Sequence, residues 1–344
     1  MSETLSKRVV LARPIQGMPA VEDFRIETAP LPALDEGKFL ARVFLVSVDP
    51  GTRSRLSGAA SYAGALAIGD TVDGFAMAEI IQSRHPHYAE GQVITIGAGW
   101  AEHVISDGRG YCAPISDNRL PWSHWIGVLG VPGMTAYFGL RRVAEMKPGS
   151  TVLVTSAAGP VGATAGQLAR LWGASRVVGV AGRPDKCAWL RDVCKFDVVI
   201  DRHTTSDMAA ALKEAAPKGY DVFFDNVGNA MIEMVLPQMR FGGRIVVSGQ
   251  VADYNLAGDA IPPIRTTIPF ITKRVRMEGL VVFDDLKGFP AAQNEVADMI
   301  LGNALALQEE IFDGIEAVPR AFCGLFKGEN TGRRLVRLGP DPAL

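Results

Sequence analysis

From Thr151 to Ser248 short β-branched runs alternate with amphipathic segments, and this alternation narrows the possible folds more than any other feature of the chain. The runs are TVLVT (Thr151–Thr155), RVVGV (Arg176–Val180), DVVI (Asp197–Ile200), YDVFFD (Tyr220–Asp225) and GRIVVS (Gly243–Ser248). Between them, helices are predicted over Val161–Trp172, Asp185–Cys194, Ser206–Ala216 and Ala230–Met239. Continuous apolar strands separated by helices imply a parallel sheet covered on both faces, because right-handed crossovers lay each helix over the sheet. The fold class is α/β, with a doubly wound domain. RVRMEGLVVF (Arg274–Phe283) reads as a further strand, and the tail from Gln308 ends in the strand-like GRRLVRL.

Before this region, from Lys7 to about Pro114, the chain shows β-branched runs such as FLARVFLVSVDP and QVITIGAGWAEHVI, broken by Gly, Pro and Asp turns with little helical period. That predicts a β-rich first domain, with the boundary near Pro132 in an interrupted helical stretch. At roughly 150 residues per domain, the 344 residues fit two domains. Thirty-five Lys plus Arg against 37 Asp plus Glu leave a net charge of -2. Polyanion binding needs a clustered basic face, so no nucleic acid is expected as a partner.

Two uncharged stretches, Pro121–Leu140 and Thr151–Ala169, are broken by Gly, Pro, Ser or Thr and read as buried soluble segments, so no membrane is expected. The start, MSETLSKRVVLARP, carries charges where a secretion signal needs an apolar run. Cys112, Cys187, Cys194 and Cys323 form no CxxC pair, and a reducing cytoplasm is the expected location. The histidines His85, His87, His103, His124 and His203 form no zinc-ligand set with them, so no metal is expected.

The turn after the first strand of the doubly wound region reads SAAGPVGATAGQLA, which puts Gly159, Pro160 and Gly162 where a strand must turn into a helix. Backbone amides there can approach a pyrophosphate, and the helix dipole favours the anion. A bare strand-to-helix connection uses glycines too, but the surrounding βαβ unit favours a dinucleotide. At the next strand tip an NAD site would carry an Asp or Glu, whereas this chain has Ala181-Gly182-Arg183-Pro184-Asp185-Lys186. Arg183 and Lys186 can meet a 2′-phosphate, and Asp185 suits the first turn of its own helix, so NADP is the expected cofactor. Asn226 and Gly228 follow the fourth strand and Ser248, Gly249 and Gln250 follow the fifth, at the sheet edge where such folds bind ligands. Singly, each of these could be a plain turn.

Nearly end to end, the chain resembles the zinc-independent medium-chain dehydrogenase/reductase superfamily, in its branch of NADPH-dependent alkenal, enone and prostaglandin reductases. The resemblance is carried by VSVDPGTRSRL, SYAGALAIGDTVDG, VLGVPGMTAYFGL, SAAGPVGATAGQLA, FFDNVGN, SGQVADYN, RMEGLVVFD and GENTGRRLV. It implies a GroES-like substrate domain over residues 1–132 and 308–344 and a Rossmann NADP-binding domain over 133–307. It also implies that Gly159, Val161 and Gly162 form the pyrophosphate turn, that Lys186 binds the 2′-phosphate and that Asn226 lies beside the adenosine ribose. Tyr254 resembles the tyrosine near the nicotinamide, and Tyr62 one that faces the substrate. Thr135, Leu280, Val281, Val282 and Asn330 resemble further nicotinamide-side or phosphate contacts.

Two positions depart from the family pattern. Asp201-Arg202-His203 stands where the family has Asn-Tyr or Asp-Tyr, leaving Arg202 either on the 2′-phosphate or in solvent, and Gly51 stands where the family has a tyrosine. The reaction implied is hydride delivery to the β-carbon of an α,β-unsaturated ketone or aldehyde, the small-molecule partner. Tyr254 would donate a hydrogen bond to the enolate oxygen, since a phenol titrates near about 10 and stays protonated. A quinone reductase and a non-catalytic NADPH-binding redox sensor are the alternatives. A homodimer paired through strand Arg274–Phe283 is expected, because an apolar sheet edge needs cover.

Overall fold

The computed structural model describes residues 5–58, 64–115, 117 and 119–342. The chain divides into two units, one running up to Ile126 and taking in Glu309–Asn330 and the segment from Arg334, the other comprising Gly127–Gln308 with Thr331–Arg333. The first unit opens with β1 (Leu5–Leu11), β2 (Phe24–Pro30), β3 (Phe39–Ser47), β4 (Phe75–Ser83), β5 (Val93–Gly97), β6 (His103–Ser106), β7 (Cys112–Pro114) and the short α1 (Trp122–Trp125). The second contains α2 (Val131–Phe138), β8 (Thr151–Thr155), α3 (Pro160–Leu171), β9 (Arg176–Ala181), α4 (Pro184–Asp192), β10 (Val198–Asp201), α5 (Met208–Ala215), β11 (Tyr220–Asp225), α6 (Asn229–Val235), β12 (Met239–Val247), α7 (Ile268–Thr272), β13 (Arg276–Gly279) and α8 (Phe289–Leu301). The chain then adds β14 (Glu309–Asp313), α9 (Val318–Phe326) and β15 (Arg333–Arg337).

In the first unit β1 and β2 form an antiparallel pair, and seven strands build a second sheet in the order β14-β15-β3-β4-β5-β7, with β6 also on β3. The tail enters this sheet antiparallel to β3, setting Leu335 opposite Ser47. Phe322 of α9 packs edge-on against Trp100 and Phe24, with ring centroids 5.2 and 5.8 Å away, so the core of this unit is built from both ends of the chain.

The second unit is a six-stranded sheet in the order β10-β9-β8-β11-β12-β13. Every pairing is parallel. This is the doubly wound arrangement in which strand order reverses between the first and fourth strands. Small residues let α3 lie close to the sheet: Gly162, Ala163, Ala165, Gly166 and Ala169 are all buried. The ring of Phe196, 3% exposed, fills the slot between Gly166 on α3 and Gly179 on β9, and a side chain at Gly166 would overlap it. Gln167 is buried in the same helix and bonds the backbone of Ala306 in both directions, at 3.0 and 2.7 Å.

Several boundaries differ from those expected. The units divide after Ile126 rather than at Pro132, because the amides of Gly130 and Gly133 turn back onto the Gly127 carbonyl. The helix expected over Ala230–Met239 ends at Val235, two residues before Pro237. The strand expected over Arg274–Phe283 is confined to Arg276–Gly279: Arg274 adopts φ 53° before it, and a 3₁₀ turn starts at Val282 after it. Among the described residues no helix is long and apolar enough to cross a membrane.

The Phe196 slot gives a direct test of the packing. Phe196→Ala should lower stability by about 3–5 kcal/mol, and Gly166→Ala by about 1–3 kcal/mol through overpacking. In the Phe196→Ala background the added methyl of Gly166→Ala should cost almost nothing, as read from urea unfolding midpoints.

Candidate functional site

Parallel strands present their carboxyl ends to one edge, and that edge collects most of the residues singled out from the sequence. At the end of β8, Ser156 adopts φ 49°. The Ala157 amide then bonds the Val180 carbonyl at 3.0 Å, tying this turn to the end of β9. Gly159 caps α3, Pro160 and Val161 begin it, and Gly162 is buried in its first turn. A Cβ at Gly162 would meet the Ser156 carbonyl oxygen at 2.6 Å, so glycine is what lets the helix start this close to the turn. The first amides of a helix have no intrahelical acceptor, and here they begin a twelve-residue helix beside that edge, a geometry suited to a phosphate group.

At the tip of β9, Gly182 leads into Arg183, which holds φ 71° and pairs with Asp185 at 2.6 Å. The Arg183 guanidinium holds the Asp185 carboxyl below the usual carboxylate range. Lys186, on the first turn of α4, is buried. From the neighbouring strand end, exposed Arg202 and His203 reach the same tip. A Cβ on Gly182 would lie 2.6 Å from His203 Nε2 and 2.9 Å from Arg202 Nε. The tip that the sequence assigned to a 2′-phosphate therefore gathers Gly182, Arg183, Lys186 and Arg202.

The most heavily bonded group of the edge is Asp225, fully buried at the end of β11. Thr155 Oγ1 donates to its Oδ1 at 2.6 Å, the Val227 amide donates to the same oxygen at 3.2 Å and the Gly228 amide to Oδ2 at 2.9 Å. Asn226 is fixed beside it, its amide on Thr155 Oγ1 at 2.9 Å and its side-chain nitrogen on the Thr155 carbonyl at 2.8 Å. The Ser248 and Gly249 amides reach the Asp225 carbonyl at 2.9 and 3.2 Å, which ties the end of β12 to the same point. Burial pushes the Asp225 carboxyl up to about 6, against the opposing pull of its hydrogen bonds.

Beyond β12 the chain folds back, with the Tyr254 amide on the Gln250 carbonyl at 3.0 Å. The half-buried Tyr254 brings its hydroxyl to this edge: a Cβ on Gly249 would lie 3.8 Å from it and 3.5 Å from the Asn226 carbonyl oxygen. Leu280 follows β13, its amide on the Val247 carbonyl at 3.0 Å; Leu280 and Val282 are buried and Val281 is exposed. Thr135 lies on α2 with its hydroxyl bonded to the Val131 carbonyl at 2.7 Å. Asn330 belongs to the first unit, and Tyr62 lies outside the described residues.

Sequence reasoning passed over Thr155, Asp225, Asp253 and His203. Asp253, buried, accepts the Asn229 amide at 2.9 Å and so holds the start of α6. An acidic residue directly after the apolar run Val222–Phe224, at the carboxyl end of a strand, was the available signal for Asp225. Among the described residues no group of three or more His, Cys, Asp or Glu could hold a metal ion.

Residues 7–113 match the family model described as the N-terminal domain of oxidoreductase, and residues 160–299 the one described as zinc-binding dehydrogenase. The chain is 36% identical over 342 residues to the NADPH-dependent curcumin reductase of Escherichia coli (strain K12), covering 98% of each. It is 36% identical over 332 residues to prostaglandin reductase 1 of Oryctolagus cuniculus, covering 95% of this chain and 92% of that protein. It is also similar to the crystal structure of CurA in complex with NADPH from Vibrio vulnificus, with a TM-score of 0.90 and 31% identity over 97% of this chain and 100% of that one.

The raised Asp225 carboxyl makes stability depend on pH in a defined direction. An acid whose folded value is raised contributes stability that is full below its unfolded value, near 4, and lost as pH rises through about 6. Asp225→Asn removes that titration. The variant should be much the less stable protein at pH 4, and its deficit should shrink by about 3 kcal/mol by pH 7, at roughly 1.4 kcal/mol per pH unit, in urea unfolding at the two values.

Proposed function

Because the chain belongs to the branch of the medium-chain dehydrogenase/reductases that holds the curcumin, prostaglandin and 2-alkenal reductases, we propose that it uses NADPH to reduce the carbon–carbon double bond of α,β-unsaturated ketones and aldehydes. The observation that carries this reading is the hydroxyl of Tyr254 at the carboxyl edge of the parallel sheet, beside Gly249 and Asn226. The first-turn amides around Gly159–Gly162 receive the pyrophosphate, and Arg183, Lys186 and Arg202 the 2′-phosphate. Asn226 and Ser248–Gln250 line the ribose side, and Thr135 and Leu280–Val282 the nicotinamide side.

Bound NADPH supplies a hydride to the substrate β-carbon. Negative charge then builds on the carbonyl oxygen, and the protonated phenol of Tyr254 donates a hydrogen bond to it. That bond strengthens as the oxygen becomes an enolate, so it lowers the barrier more than it tightens substrate binding. Water supplies the proton to the α-carbon. Tyr62, which lies outside the described residues, acts on substrate binding rather than on turnover.

NADPH oxidation measured against enals, enones, curcumin-like diketones and quinones tests the reading; turnover confined to quinones would overturn it. Tyr254→Phe should lower kcat on enones by roughly ten- to several-hundredfold while leaving the NADPH Kd within about twofold. Unchanged kcat where hydride transfer limits the rate would remove Tyr254 as the donor.

The enzyme acts in the cytoplasm as a homodimer paired along β13. This rests on the position of β13 at the sheet edge and on the large apolar side chains exposed in the same unit, Phe241 at 72%, Ile271 at 71%, Ile268 at 60% and Met277 at 39%. Sedimentation at micromolar concentration should give twice the chain mass, and Met277→Lys should shift it toward the monomer.

A further inference from the structure

The tip of β9 holds a titratable group that the cofactor reading leaves unused. Exposed His203 brings Nε2 to within 2.6 Å of where a Cβ on Gly182 would lie, and Arg202 brings Nε to within 2.9 Å of it. Both residues are pinned from below: the His203 amide donates to Asp201 Oδ1 at 2.8 Å and the Arg202 amide to the Ala181 carbonyl at 2.8 Å. The charged groups gathered at this tip are Asp201 and Arg202 from the β10 side, and the Arg183–Asp185 pair and Lys186 from the start of α4. In a doubly wound sheet the second strand tip is where the adenosine ribose places its 2′ substituent.

We propose that His203, in its imidazolium form, is a ligand of the NADPH 2′-phosphate and makes the preference for NADPH over NADH depend on pH. The inference rests on the NADPH reading given above. A phosphate monoester loses its second proton near about pH 6, and imidazole changes charge between about pH 5 and 8. Above about pH 6 the phosphate is a dianion, and its charge holds the proton on the imidazole to higher pH than in the free protein. The resulting affinity is full below the free imidazole value and is lost as pH rises through the bound value. Arg202, Lys186 and Arg183 remain as further basic contacts to the phosphate, so binding weakens without vanishing. NADH lacks the phosphate and has no such dependence.

Calorimetric titration of the intact enzyme with NADPH and NADH, in buffers of differing ionisation heat, tests this. The NADPH Kd should rise about five- to tenfold from pH 6.5 to 8.5, the size of one charge-assisted contact, while the NADH Kd stays constant. At pH 7.5 NADPH binding should take up protons. His203→Gln should flatten the NADPH curve to within about twofold and abolish the uptake, whereas His203→Arg should bind tightly at pH 8.5. Wild-type pH dependence or proton uptake in His203→Gln would overturn the role of His203. NADPH failing to bind the wild-type enzyme at any pH would overturn the NADPH reading itself.

Discussion

Thr155 and Asp225 end the two strands between which the strand order reverses, and a 2.6 Å hydrogen bond joins them inside the protein. Helices connected to the two halves of such a sheet leave to opposite faces, which opens a crevice at the strand ends. A polar bond across that point closes what would otherwise be two independent turns. The remaining acceptors of Asp225 then take the Val227 and Gly228 amides, and its carbonyl takes Ser248 and Gly249. One residue thus sets the relative position of the loops after β8, β11 and β12. The cost is a carboxylate with no access to water, which is why its proton affinity is raised despite three donors.

The parallel sheet was readable because its strands are largely buried on both faces and so appear as predominantly apolar runs; Thr151–Thr155 and Tyr220–Asp225 fall on the predicted residues. The edge strand β13 was legible but drawn too long, because its own residues are exposed and the apolar LVV that follows it leads into a 3₁₀ turn, with Leu280 and Val282 buried. In the first unit the strand segments stand out, but their partners do not. β3 bears register shifts between Leu40 and Ala41 and between Val43 and Leu45, and local sequence holds no trace of where β4 must slip.

At the candidate site, the glycine turn, Asn226 and Ser248–Gln250 were visible as punctuation after strands. What escaped notice was whatever depends on two distant segments meeting. His203 reads as a surface histidine until β10 is laid beside β9 and its ring comes to stand over Gly182. Arg183 reads as an available cation until its pairing with Asp185 is seen, so an arriving phosphate has to compete with a carboxylate for that guanidinium. Asp225 looks like the last letter of a strand until five donors from two loops and a neighbouring strand are counted on its carboxyl oxygens and its carbonyl.

The antiparallel seam between β15 and β3 sets a timetable for biosynthesis. β3 emerges from the ribosome early, yet one of its neighbours is not made until the whole of Gly127–Gln308 has been translated. At about 5–20 residues per second, that interval is on the order of ten seconds or more. During it the nascent chain offers an open strand edge and an aromatic nest around Trp100 and Phe24 that still lacks Phe322. The Rossmann unit is contiguous apart from Thr331–Arg333 and can fold in that window, while the first unit waits for the tail. Chains arrested short of α9 would carry a folded Rossmann unit beside a sticky, half-built partner, and so be marked for chaperones or proteases.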